Sequence, residues 1–433
     1  MIISECFVWK WLTGESEPVV AGRLVQNKDG QQVFTYGRSY IERPNAEPIY
    51  ADELPLINGV QTPFVGLSEF ACVRDASPDA WGRRVIINRM FAVDGKSKTK
   101  DFYDRELSEI TYLLESASDR VGSLDFQLSS TEYVARCDSE ASIEDLYSAT
   151  QKVLDGEPIP PSLEMALMHG TSLGGARPKS MLCGEEKKYI AKFSTSTDSY
   201  NVVKSEYIAM KLAKLVGIDV ADVELGSVLG RDYLLVTRFD RELIASGVWA
   251  RRSVVSALTV LELHERWVKE ASYLDLIEKI RINGTVFKAQ SMELFRRIVL
   301  NVLVGNTDDH ARNHAFFIIL GDKLELTPAY DLCPQPRAGG EATHGMLITA
   351  NKRFSRLSDV LSTCESYGLT EQKAKAEIER MTKVVIGAYQ NLAVQCSLEV
   401  ATRNMLWRGA ILNRDIFYGG FEYLNEQVEI DEN

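Results

Sequence analysis

Apolar and polar positions are patterned differently at the two ends of the chain. Over the first 60 residues, short β-favouring runs such as Val19-Val20 and Val33-Phe34-Thr35-Tyr36 alternate with turns near Asp29-Gly30 and Asn58-Gly59. This predicts a strand-rich, loop-rich start. Ser77-Pro78-Asp79-Ala80-Trp81 then opens a helix expected to run to about Met90, with Ser77 as N-cap, Pro78 in the first turn and Asp79 complementing the dipole. A second helix is predicted from about Ser108 to Ser116, and the Pro- and Gly-rich stretch Gly156 to Pro161 marks a domain boundary. Past it, Tyr189–Phe193 reads as a strand, Val202–Val216 as a helix stopped by Gly217, and Val223–Val228 and Tyr233–Arg238 as two more strands. From about Ser253 the pattern is mostly helical. Its clearest stretch, Met292–Val304, lines up Leu294, Phe295, Ile298, Val299, Val302 and Leu303 on one face, with Arg296, Arg297 and Asn301 expected on the opposite, polar one. An α+β chain of three consecutive segments follows, 1–150, 151–240 and 241–433.

The predicted helix delivers the chain into Gly305-Asn306-Thr307-Asp308-Asp309-His310-Ala311-Arg312-Asn313-His314. Two apolar runs joined by Gly321-Asp322 follow, a hairpin signal, and then Pro328-Ala329-Tyr330-Asp331. Phosphoryl transfer needs these parts: a carboxylate to take the hydroxyl proton (Asp308) and two oxygen ligands for Mg²⁺ on the phosphates (Asn313 and Asp331). Kinase catalytic loops share the Asp-x4-Asn spacing and the later metal Asp. The competing reading is that Asn and Asp crowd loops because they tolerate turns; the hairpin and Asp331 arriving in order weigh against it. His310-x3-His314 suggests zinc less well, because Ala311 stands where a zinc-protease helix carries Glu. His310 reads as orienting the loop, and Asp309 and Arg312 as structural neighbours.

Upstream, alternation puts Lys192 beside Ile190 and opposite Tyr189 and Phe193, while Glu206 falls on the inward face of the next helix with Val203, Met210 and Ala213. An inward Lys and an inward Glu suit the pair that aims a lysine at ATP phosphates; each alone would as readily reach solvent. Gly174-Gly175 and Lys179 lie in a segment whose N–H groups and charge could approach phosphates, although no G-x4-G-K-[ST] loop is present. Thr237-Arg238-Phe239 leaves the last strand where a hinge would meet adenine.

Bulk properties narrow the class. The net charge of −12 repels nucleic acid, so any DNA role needs a basic partner. The seven cysteines are scattered and form no C-x-x-C pair, which argues against a disulfide framework or a zinc knuckle. No secretory pattern and no long apolar span is read, so a cytoplasmic location is expected.

Ser172-Leu173-Gly174-Gly175-Ala176-Arg177-Pro178-Lys179, Ile190-Ala191-Lys192, Val236 to Arg241, Thr307 to Asn313 and Pro328 to Asp331 together resemble the HipA family, kinase toxins of type II toxin–antitoxin modules. Pro78 to Arg83 resembles the family's N-terminal pattern, so the likeness spans nearly the whole chain. It implies a two-lobed Ser/Thr protein kinase fold behind an N-terminal β-rich subdomain, using ATP and Mg²⁺. It also implies ATP contacts from Gly174, Gly175, Ala176, Arg177, Pro178, Lys179, Lys192, Thr237, Arg238, Phe239, His310, Ala311, Arg312, Asn313, Tyr330, Asp331, Leu332 and Cys333. The implied substrate is an aminoacyl-tRNA synthetase, usually the glutamyl enzyme, whose inhibition causes growth arrest and drug tolerance. The implied partners are a HipB-type helix-turn-helix antitoxin and, through it, operator DNA. Ser172 matches the family's autophosphorylated serine, while Arg177-Pro178 departs from the Gln-Glu of well-known members. A small-molecule or lipid kinase and a catalytically silent corepressor are the alternatives; retention of Lys192, Asp308, Asn313 and Asp331 together argues against the second.

Overall fold

The computed structural model describes residues 4–91, 107–136, 141–155, 157, 160, 163, 168, 171, 177–245, 247–319, 322–337 and 339–430, excepting the side chains of 91, 429 and 430. The chain forms two compact units, residues 1–195 with 226–255, and residues 196–225 with 256–433. The three consecutive segments expected above do not coincide with these units, because strands of the 151–240 segment fall with the N-terminal sheet. The expected boundary at 156–161 lies mostly outside the described residues.

The first unit is built on antiparallel strands. β1 (Glu5–Trp11), β2 (Pro18–Gln26), β3 (Gln32–Tyr36), β4 (Val60–Gln61) and β5 (Leu124–Gln127) form a sheet of order β4-β3-β2-β1-β5. Alternation sets its faces: Gln32, Phe34 and Tyr36 are buried while Val33 and Thr35 are half-exposed. A second sheet, ordered β6-β7-β9-β8, contains β6 (Lys179–Cys183), β7 (Lys188–Phe193), β8 (Val223–Val228) and β9 (Arg231–Thr237). Trp81 and Val85 of the Ala80–Phe91 helix, and Leu146, Tyr147, Ala149 and Val153 of the Ile143–Asp155 helix, pack on Ala191 and Phe193 of β7. The first of these helices starts later than predicted. Ser77 Oγ bonds Glu109 instead of capping, and the Asp79 carboxylate takes the Ala80 N–H. The helix predicted at 108–116 is present as Glu109–Glu115, with Ser108 accepting the Thr111 N–H as its cap.

The second unit is mainly helical. Its Val202–Leu215 helix is capped by Asn201, and the chain turns at Gly217 with φ +85°. The central Phe287–Val304 helix starts before the predicted Met292 and has no full polar face. Arg297 and Asn301 are buried rather than solvated: the Arg297 guanidinium reaches Glu293 at 2.8 Å and the Thr327 carbonyl at 2.7 Å, and Asn301 accepts from Asn306 at 3.0 Å. A polar side chain is tolerated on the buried face of a helix where it finds a hydrogen-bond partner, as each of these two does. The predicted hairpin is Ala315–Ile319 paired with Lys323–Leu326, and the long Glu371–Gln395 helix follows later in the chain. No described helix is long and apolar enough to cross a membrane.

Candidate active site

The central helix must stop abruptly to present a loop, and Gly305 stops it. Its φ is +69°, and a Cβ there would lie 2.6 Å from the Ala410 carbonyl oxygen, so both conformation and space select glycine. Asn306 is then pinned through its N–H to Asn301 O at 2.9 Å and through Nδ2 to Asn301 Oδ1 at 3.0 Å. Beyond it, Asp308 is exposed and Asp309 is buried. The chain doubles back so that the Asn313 N–H donates to His310 O at 2.8 Å. Asn313 Nδ2 leans toward Asp308 O at 3.4 Å. Asp308 and Asn313 therefore face one compact loop, and Asn313 Oδ1 is left as its acceptor.

Asp331 enters from the other side of the hairpin. Tyr330 OH donates to Arg312 O at 2.7 Å, which ties the segment carrying Asp331 to the loop. Ala329 is anchored by a parallel bridge to Val220, its N–H donating to Asp219 O at 2.8 Å. Asp331 itself holds φ +60°, a left-handed conformation that Asp tolerates better than most residues and that recurs at functional sites. Leu332 is buried and Cys333 half-buried. The donor set offered here, an amide oxygen and a carboxylate, is hard and fits Mg²⁺ rather than a soft metal. Zinc suits His314 poorly, since its Nε2 lies 2.8 Å from Asp309 Oδ2.

Asp309 organises the floor of the loop. It accepts from Tyr273 OH as well as from His314. Burial alone would raise its carboxyl, but the His314 and Tyr273 contacts hold it below the usual carboxylate range. Nearby His344 is buried, and desolvation, aided by the Arg337 charge and opposed by Asp309, pushes it down to about 4. His310, expected to orient the loop, is half-buried, whereas His314 is buried. Arg312 reaches Glu265 at 3.0 Å on the loop's outer side.

In the first unit, Lys179 and Lys192 are direct cross-strand partners, so they share one face of the sheet, the face opposite Ala191 and Phe193. Two adjacent cations make that face suited to an anion. Arg177 is half-buried and Pro178 buried, while Ser172, Gly174, Gly175 and Ala176 lie outside the described residues. Thr237, at the end of β9, has a buried Oγ1 with no hydrogen-bond partner in the structure, and Phe239 is half-buried. The Arg238 side chain, between these two hinge candidates, has partners of its own. Its guanidinium is buried against Asp240 at 2.8 Å, Asp119 at 3.0 Å and Arg120 O at 2.8 Å. With Arg241 also on both carboxylates, this is a buried ionic knot. Burial would raise Asp240, yet Arg238 and Arg241 hold it at about 2. Glu206 belongs to the second unit and is buried at 3% exposure, on the inward face as predicted.

The supporting residues Tyr273, His344 and Gly345 were not found from sequence. The tandem pairs Asp308-Asp309 and Asn313-His314 do set a second polar residue directly after each candidate.

A family model described as HipA-like C-terminal domain matches residues 171–388, half of the chain. Over 152 residues the chain is 32% identical to the protein designated Y4mE in Sinorhizobium fredii, covering 34% of each. Over 184 residues it is 27% identical to the serine/threonine-protein kinase toxin HipA of Shewanella oneidensis, covering 37% of this chain and 42% of that one. The matches thus span less than half the length of these two relatives. Among solved structures, a chain of the Shewanella oneidensis complex of HipA, HipB and operator DNA superposes with TM-score 0.65 at 17% identity, covering 98% of this chain and 96% of that one. The fold is therefore the mixed α+β fold of that kinase.

Proposed function

Because the chain belongs to the family of the HipA-like C-terminal domain, we propose that it is a serine/threonine protein kinase toxin that transfers the γ-phosphate of ATP to a protein hydroxyl. The observation that carries this reading is the closed Asp308–Asn313 loop, joined through the Tyr330–Arg312 bond to a left-handed Asp331. Asp308, exposed at the loop's mouth, takes the hydroxyl proton. Asn313 Oδ1 and the Asp331 carboxylate would hold Mg²⁺, which when bound neutralises phosphate charge. Lys179 and Lys192 present their shared cationic face to phosphate oxygens, and Glu206 is the buried acidic residue of the second unit. The hinge at Thr237 and Phe239 meets the base, Thr237 Oγ1 supplying a hydrogen-bonding group still in need of a partner. Gly174, Gly175, Ala176, Arg177 and Pro178 are assigned to the phosphate loop, and His310 to Arg312 and Tyr330 to Cys333 to the nucleotide's surroundings.

The names of the relatives suggest a partner. Shewanella HipA is a kinase toxin and is found with HipB on operator DNA. For this chain, with its charge of −12, the corresponding partner is a basic helix-turn-helix antitoxin that supplies the base contacts. The protein substrate is assigned to the aminoacyl-tRNA synthetases, and Ser172 to autophosphorylation that switches the kinase off.

The test is single-turnover phosphate transfer and nucleotide affinity in two variants. Asp308→Asn is expected to keep ATP binding and lose roughly 10²-fold or more in turnover, the usual size of base catalysis. Asp331→Ala is expected to weaken Mg–ATP binding as well. An Asp308→Asn protein with wild-type turnover would remove the assignment.

A further inference from the structure

Asp308 and Asn313, five positions apart, are each followed by a buried residue, Asp309 and His314, and these two residues touch. His314 Nε2 lies 2.8 Å from Asp309 Oδ2, and Tyr273 OH donates to the same oxygen. All three side chains are nearly or fully buried, His314 at 2% exposure and Asp309 at 1%. We propose that the Asp309–His314 contact is a clasp that sets the separation of the base and the metal ligand, with Tyr273 as its anchor. The proposal rests on the kinase reading above and adds three positioning residues to it.

Ordinary core packing accounts poorly for this arrangement. A carboxylate taken fully out of water contributes little to stability even when paired, and an apolar residue of similar volume commonly does as well. His314 Nδ1 is buried without a hydrogen-bond partner, so the ring's one polar contact is the one to Asp309. The His314 ring also meets Tyr273 edge-on at 5.8 Å between centroids, which restricts its rotation. On the backbone side, Gly345 presses against the Asp309 carbonyl, where a Cβ would come to 2.6 Å, while the Gly345 N–H donates to Thr307 O at 3.1 Å. Asp309 is thus held by its side chain from one direction and by its backbone from another. Because the clasp joins the residues directly after Asp308 and Asn313, opening it lengthens the loop at the two positions that carry the chemistry.

Four variants test this. His314→Phe keeps ring volume and removes the donor, whereas His314→Gln places an amide N–H close to where Nε2 was. Tyr273→Phe deletes one hydroxyl and is the change least disruptive to folding; Tyr273→Phe/His314→Phe completes a cycle. The expected result is a roughly 10- to 100-fold fall in kcat for His314→Phe, the scale of an ångström-level misplacement, with most of it recovered in His314→Gln. The Mg²⁺ concentration that half-saturates tightening of ADP binding should rise in His314→Phe, while metal-free ADP affinity stays unchanged. The double variant should lose less than the product of the single losses. Equal melting-temperature losses in the Phe and Gln variants, with wild-type kcat and an unmoved Mg²⁺ midpoint, would show mere core filling and overturn the clasp. If the wild-type protein transfers no phosphate, the kinase reading falls. The Mg²⁺ titration of ADP binding then still decides: a raised midpoint supports the clasp, and an unmoved one, or no metal-dependent binding at all, ends it.

Discussion

Gly345→Ala probes the proposed catalytic loop without changing any residue assigned to the chemistry. Gly345 does not adopt a positive φ, so alanine brings no backbone strain of its own. What it brings is a methyl 2.6 Å from the Asp309 carbonyl oxygen, 3.1 Å from its carbon and 3.2 Å from His310 Cβ. Comfortable contact for a carbon is about 3.5 Å, so close to 1 Å must be found. The crowded atoms are backbone and cannot rotate away, and the Gly345 N–H is itself bonded to Thr307 O at 3.1 Å. The loop between Thr307 and His310 must therefore move as a piece. Overpacking of this kind costs about 1–3 kcal/mol of stability, and a shift near 1 Å at the base costs about 10²-fold in rate. Urea unfolding measures the first and single-turnover transfer at saturating Mg–ATP the second. Gly387→Ala is the control: nothing lies within 4 Å of its Cβ on the long helix, so stability should rise by up to about 1 kcal/mol with transfer unchanged. A Gly345→Ala protein that loses stability yet transfers phosphate at the wild-type rate would refute the coupling.

Two further outcomes concern stability against pH. His344 is pushed down to about 4 by burial, below its unfolded value near 6.5, so the unfolded chain binds the extra proton between those values; stability is full above about pH 7 and falls by about 3 kcal/mol toward pH 4, and His344→Phe should flatten this stretch of a pH series of urea midpoints. Asp240 is held at about 2 against roughly 3.8 unfolded, so its contribution of about 2 kcal/mol is present above about pH 4 and lost as pH falls through 2. Asp240→Asn should cost about 3–5 kcal/mol at neutral pH, because Arg238 and Arg241 lose a buried partner, and should reduce the remaining acid sensitivity; a neutral-pH unfolding free energy equal to wild type would contradict it.

Features governed by neighbouring residues were legible in the chain. Ser108 caps its helix and Gly217 turns the end of the next one because each acts on backbone groups within a few positions. The face of Lys192 follows from strand alternation alone, and Asp308 and Asn313 fall in one closed loop because the motif that carries them is contiguous. Arg297 and Asn301 were placed on a polar face for one shared reason. A polar side chain is assigned to solvent by default, and only its partners in the fold, such as the Thr327 carbonyl for Arg297, reveal that it is buried.

The same division runs through the active loop itself. The residues proposed to hold the metal or take the proton occupy one short stretch and one later Asp, but what holds that stretch comes from elsewhere: Tyr273 from 36 positions before Asp309, and Gly345 from beyond the hairpin. Such supports follow no local pattern, since any element able to reach the loop could supply a hydroxyl or a close backbone. Their effect is nonetheless steep, because rate falls exponentially with misplacement energy while stability loses only a small part of its total. Substitutions that silence the protein without unfolding it should therefore collect at Tyr273, His314 and Gly345 as well as at Asp308, Asn313 and Asp331.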